Sequence, residues 1–207
     1  MLAKNLKYIL LVFGLIFSLA ANAADKDVLD ALFHNKSDPV AGNKNGKITI
    51  VEFFDYQCSH CMNMAPIIQS IIKNNPDVRI VFKEYPIFPS PVSDLAARAA
   101  LAANLQGKYY RFHHALLVSD SPLNEESIFR IAKANGLDVN KLKKDMDSSS
   151  IKKIITTNKT LGNNLGVSGT PAFFIGKTNA TDKKDVDSTL GELTEPKLQK
   201  EIQKLRS

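Results

Sequence analysis

Two short stretches, Lys47 to Phe54 and Val78 to Glu84, are rich in β-branched and aromatic residues with little polar alternation. That is the pattern of strands buried on both faces. Between them, Met62 to Lys73 has helical spacing, opened at Cys58, with an interior Pro66 that is expected to kink it. Pro76-Asp77 supplies the turn, and the three elements make one β-α-β unit. From Val92 to about Leu165 the period is helical throughout. The spacing predicts an alanine-rich helix over Ser93 to Leu105, a second over Lys108 to Val118, and a third begun at Asn124 and ended at Gly136. Asp138 opens a fourth, and Ser148-Ser149-Ser150 precedes a long helix to Leu161. A strand follows at Ala172 to Ile175, then a polar loop or weak hairpin over Lys177 to Gly191. Thr194-Glu195-Pro196 caps a last helix with Leu198, Ile202 and Leu205 along one face. Ahead of the first strand, Asp27 to His34 predicts a short helix, closed by Pro39 and the turn at 42–46.

The 207 residues suit one domain, or one with an insertion, and 44% hydrophobic with 23% charged residues is ordinary for a globular protein. The N-terminus changes that picture. Lys4 and Lys7 precede an apolar run, Tyr8 to Ala21, and Ala21-Asn22-Ala23 offers the small residues a signal peptidase reads. Residues 1–23 are therefore expected to be a signal peptide cleaved after Ala23, leaving 24–46 as a lead-in and 47–207 as the main domain. The run falls short of the ~20 apolar residues that cross a bilayer, and no cysteine near the cleavage site invites a lipid. Export places the chain in an oxidising space such as the periplasm. The net charge of +6 drops to about +4 without the leader, and the lysines are scattered among acids, which argues against nucleic acid as a partner.

The only two cysteines stand at Cys58 and Cys61, where the first strand gives way to its helix. A Cys-X-X-Cys pair at a helix start leaves the first thiol beside free backbone N–H groups and the second one turn further in. The first can attack and the second resolve. A helix N-terminus with a neighbouring imidazolium can lower a thiol pKa from ~8.5 to roughly 3.5–7.5, and His60 is placed to be that imidazole. Favouring thiolate favours the reduced pair, which makes the disulfide an oxidant. Half a zinc site is the competing reading, but structural zinc wants four ligands. The other histidines are His34 and the adjacent His113 and His114, which read as packing or surface residues.

Phe53-Phe54-Asp55-Tyr56-Gln57-Cys58-Ser59-His60-Cys61, with Val167-Ser168-Gly169-Thr170-Pro171-Ala172-Phe173-Phe174, resembles the DsbA family of bacterial thiol-disulfide oxidoreductases from about Pro39 onward. The resemblance implies an α/β thioredoxin fold with an all-helical insertion at about 92–165. It also implies a cis Thr170-Pro171 bond packed against the active-site pair, with Thr170 beside the bound substrate chain. Glu52 would be a buried acid exchanging a proton with Cys61, paired with Lys83. Ser59 stands where well-studied oxidases carry proline, so its N–H or hydroxyl can donate to the Cys58 sulfur or to water and tune the potential. The implied activity is a dithiol oxidase acting on unfolded exported proteins, reoxidised by a DsbB-type membrane quinone reductase, monomeric, without cofactor or metal. A disulfide isomerase or reductase of the same fold, acting as an oligomer, is the alternative. A redox-inert metal-binding module is a more distant one.

Overall fold

Ile48–Phe54 forms strand β2, and every one of its residues is buried. Alternation along a strand sends neighbouring side chains to opposite faces, so a fully apolar strand needs cover on both. In the computed structural model, which describes residues 25–207, that cover is present. One face packs Ile50 and Phe54 with Ile80, Phe82, Phe173 and Ile175 beneath helical residues such as Met64, Ala96 and Phe112. The other packs Val51, Phe53, Val81 and Tyr85 against Leu32, Phe33 and Leu161. Each such side chain, taken from water, contributes about 1.5–3 kcal/mol.

The sheet runs β1-β3-β2-β4-β5, where β1 is Val40–Gly42, β3 Val78–Glu84, β4 Ala172–Lys177 and β5 Val186–Leu190. The pair β2/β3 is parallel and the others are antiparallel. Helix α1, Ser59–Asn74, makes the β2-to-β3 crossover and continues through Pro66. Between β3 and β4 lie α2 (Pro91–Asn104), α3 (Tyr109–Leu117), α4 (Glu125–Ala134), α5 (Val139–Met146) and α6 (Ser149–Asn164). This is the thioredoxin arrangement with a helical insertion. The caps read from the sequence hold: the side chains of Asn124, Asp138, Ser148 and Thr194 each accept a backbone N–H at a helix start. The last of these opens α7, Glu195–Arg206.

One element differs from expectation, and one open alternative is settled as a hairpin. Val40–Gly42 is a strand rather than the close of a lead-in, pairing antiparallel with β3. Three residues carry too little pattern to show a period, and Gly42 ends it at φ 74° with Val78 O only 2.8 Å from where a Cβ would stand. The polar stretch after β4 resolves into a 3₁₀ turn, Lys183–Asp185, and the edge strand β5. At the start, helix over 25–29 runs into a π-helical turn, Asp30–His34. The expected leader 1–23 lies outside the described residues.

The Lys83 pairing is a correction. The β2/β3 register sets Glu52 beside Phe82 and Lys83 beside Phe53, so Lys83 points to the face opposite Glu52. There its Nζ is fully buried, donating to Ala31 O at 2.7 Å and pairing with Asp38. It anchors the N-terminal segment and does not reach the thiols.

Candidate active site

Cys58 is the N-cap of α1 and extended (φ −88°, ψ 113°), so the first helical N–H groups face its side chain, though none closes a cap hydrogen bond with it. The loop that delivers it is fastened by Asp55, whose Oδ1 accepts from Gln57 N (2.8 Å) and Ser93 Oγ (2.8 Å). The other oxygen accepts from Ile87 N (2.9 Å) and Phe88 N (3.2 Å). One carboxylate thereby ties the active-site loop to the β3–α2 connection. Sequence reasoning gave Asp55 no role, because its partners lie up to 38 residues away.

The two thiols, unjoined in this structure, are unlike each other. Cys58 is brought down to about 5, first by a hydrogen bond from the Cys61 thiol, with burial opposing, then by the Thr170 side chain and the backbone N–H groups of Cys61 and His60. Cys61 is fully buried and pushed far up, chiefly by desolvation, then by its donation to Cys58 and by nearby Glu52. The Thr170–Pro171 bond is cis. It carries Thr170 to the nucleophile, where the Cys58 thiol donates to Thr170 O at 3.1 Å. The buried Thr170 hydroxyl has no hydrogen-bond partner among the described residues and can donate to the sulfur once that ionises. Cys58, Cys61 and Thr170 thus lie together, with Pro171 next in the chain.

Glu52 is 2% exposed, on the sheet face below the thiols, without an ion-pair partner among the described residues. Burial, and secondarily the charge of Cys58, raises it to about 8. His60 differs from its expected placement. Its backbone N–H serves Cys58, but its ring turns outward to Glu192, 2.5 Å from Nδ1 to Oε1. Ser59 is exposed at the first helical position, and the N–H groups named above as reaching the sulfur come from the next two residues.

Beside the site lies a buried polar cluster with no counterpart in the sequence reading. Tyr109 Oη (2.8 Å) and Tyr56 Oη (3.0 Å) donate to Glu84 Oε1, and Tyr56 Oη also meets His113 Nδ1 at 2.9 Å. Burial raises Glu84 well above the carboxylate range and takes His113 down to about 3, so the imidazole is neutral near pH 7. Tyr56 lies two residues before Cys58, and this cluster binds the active-site loop to α3 of the insertion. His113 is the packing residue it was expected to be, stacked on Tyr109, edge-on to Phe54 and tilted against Phe82.

Comparison with known proteins agrees with this geometry. The model of the DSBA-like thioredoxin domain matches residues 49–194. A thioredoxin-like oxidoreductase from Silicibacter pomeroyi DSS-3 superposes with TM-score 0.77 at 37% identity, covering 86% of this chain and 96% of that one. The thiol-disulfide exchange protein alpha-DsbA2 of Wolbachia pipientis gives 0.76 at 28% identity, over 90% and 98%. A periplasmic thioredoxin-like protein from Salmonella enterica serovar Typhimurium gives 0.73 at 27%, over 87% and 97%. A curated Na(+)/H(+) antiporter NhaA of Salinispora tropica is 28% identical over 139 residues, which is 67% of this chain and 21% of the antiporter. The chain thus spans about a fifth of the length of that curated relative. No helix among the described residues is long and apolar enough to cross a membrane. The chain belongs to the DSBA-like thioredoxin family.

Proposed function

We propose that this member of the DSBA-like thioredoxin family works as a dithiol oxidase, donating a Cys58-Cys61 disulfide to exported, unfolded proteins. The observation that carries the reading is the opposite displacement of the two thiols, Cys58 down to about 5 and Cys61 far up. A substrate thiolate attacks Cys58 Sγ and the S–S bond to Cys61 breaks. Glu52, protonated below about 8, delivers its proton to the departing Cys61 sulfur. A second substrate thiolate then attacks the substrate sulfur of the mixed disulfide. Cys58 leaves as a thiolate, and its low pKa makes it a good leaving group. The substrate leaves with a disulfide. The enzyme keeps one thiolate and one thiol; of the two protons the substrate thiols shed on ionising, one restores Glu52 and the other stays in solvent. Thr170, before cis-Pro171, lies beside the nucleophile, where the incoming chain must pass.

The leader at 1–23 supports a periplasmic location, as does the likeness to a protein described as periplasmic. Reoxidation is assigned to a membrane quinone reductase of the DsbB type, and the working form to a monomer. The deciding experiment equilibrates the mature protein with glutathione and follows Cys58 ionisation by thiolate absorbance. Thioredoxin-fold oxidoreductases span about −270 to about −120 mV, with DsbA itself at the oxidising end. A value near that end, with Cys58 ionised well below pH 7, is expected. A value near the other end overturns the oxidase reading in favour of a reductase or isomerase held reduced.

Glu52→Gln separates the proton donor from the thiol. Formation of the mixed disulfide is expected to slow by about 10²-fold near neutral pH, the lower end of general acid–base contributions. The deficit shrinks above pH 8, where native Glu52 has itself lost its proton. A deficit constant from pH 6 to 9 would count against the assignment.

A further inference from the structure

We propose that Glu192 is a positioning residue for the active site, holding the His60 imidazole charged and in a fixed direction beside Cys58 and so setting part of the pair's oxidising strength. The inference rests on the thiol-disulfide reading above and adds a residue that neither the motif nor the resemblance supplies.

Glu192 lies on a short strap between β5 and α7, and its neighbours fasten that strap on both sides. Gly191 N donates to Pro171 O at 2.8 Å, on the cis-proline loop. Leu193 N reaches Met64 Sδ at 3.3 Å, inside α1. The backbone of Glu192 is thereby pinned between the two elements that flank the nucleophile. From there Oε1 accepts from His60 Nδ1 at 2.5 Å and from Asn63 Nδ2 at 2.8 Å. His60 and Asn63 are three residues apart on the first turn of α1, neighbours on one helix face, and a carboxylate suits the positive end of a helix.

An exposed ion pair is ordinarily worth little, because water screens it and two flexible side chains must be ordered. Here the His60 and Glu192 side chains are 66% and 40% exposed, so the pair's contribution to folding is small. Its position gives it a different effect. The carboxylate is already held by its backbone and by Asn63, and the imidazole sits two residues from the nucleophile. The charged groups that His60 senses are Glu192 and the Cys58 sulfur, and both raise its pKa, Glu192 more strongly. The carboxylate favours the imidazolium whether or not the thiolate is present. The imidazole so held is two residues from Cys58, whose charge it senses, and it needs no rearrangement when Cys58 leaves as an anion.

The test is a double-mutant cycle on the full mature chain, Glu192→Gln with His60→Ala, read by the glutathione equilibrium, by Cys58 thiolate absorbance and by the NMR titration of His60. Glu192→Gln alone is expected to lower the His60 pKa, raise the pH at which Cys58 ionises, and weaken the oxidising equilibrium about two- to fivefold, less at high salt. In the His60→Ala background the same change should do nothing or act in the opposite sense, since only a bare anion near the sulfur is then removed. Glu192→Asp, which keeps the charge but shortens the reach, should behave as Glu192→Gln does. Equal effects of Glu192→Gln with and without His60, or none in either, overturn the proposal. A reducing potential in the unmodified protein would overturn the oxidase reading and leave this coupling to be judged on its own cycle.

Discussion

Cys61→Ser is expected to abolish dithiol oxidation and leave the protein captured as a mixed disulfide through Cys58 when it meets oxidised glutathione or a substrate disulfide. The variant has no second thiol, so it cannot store a disulfide to donate. Cys58 exchanges the Cys61 thiol, first among the groups that lower it, for a serine hydroxyl that can donate in the same place, and Thr170 and the backbone N–H groups still serve it, so it remains the reactive sulfur. Release of the adduct becomes bimolecular and forfeits an effective concentration that reaches about 10⁵ M or more for well-oriented intramolecular groups. Mass spectrometry should find a long-lived adduct on Cys58. The complementary Cys58→Ser should form none, since Cys61 is fully buried and its pKa is far above that of a free thiol. Comparable adducts in both variants would mean that the two thiols do not divide the roles as proposed.

Lys83→Met is the substitution expected to cost most in stability while leaving the redox chemistry alone. Lys83 and Asp38 pair with both side chains fully buried, and Lys83 Nζ also holds Ala31 O. Removing one partner of a buried pair ordinarily costs about 3–5 kcal/mol because the other charge is stranded. Asp38 is already raised by burial, with Lys83 pulling it back, so it can take up a proton in the variant, and the cost should fall near the lower end. That is a large share of the roughly 5–15 kcal/mol that holds a domain. Denaturant unfolding measures it, and Asp38→Leu combined with Lys83→Met should recover much of the loss. Cys58 ionisation should stay where it is, because Lys83 lies on the far face of the sheet. A clear shift in that ionisation would restore the pairing with Glu52 that the β2/β3 register denies.

The error over Lys83 shows how much the sequence carries and where it stops. Both strands were legible, since fully apolar runs have no other comfortable home, and Val78–Glu84 agrees with its sequence-read bounds. The register between them was not legible, and one residue of offset moves a side chain to the other face. With the observed register, the titratable β3 residue sharing the face of Glu52 is Glu84, not Lys83. The helices of the insertion were readable through their caps, which act over three residues. The strand β5 was legible only as one of two alternatives, a loop or a weak hairpin, because an edge strand with exposed Asp187 and Ser188 has the composition of a loop.

By itself the sequence located the thiol pair proposed as nucleophile and resolving partner. Two cysteines three apart at a strand-to-helix junction place one thiol at the helix N-cap and the other a turn inside, whatever surrounds them. Tertiary structure decided how the pair is tuned. The Thr170 carbonyl and hydroxyl reach Cys58 from 112 residues away, and Glu192 takes the His60 ring from 132. The strand face alone separates Glu52 from Lys83. Helix and strand periods arise from hydrogen bonds between near neighbours, so they are written in short windows of residues. Thiol acidity depends on which distant dipoles and charges the fold brings within a few ångströms and on how much water it removes, and no local window holds that.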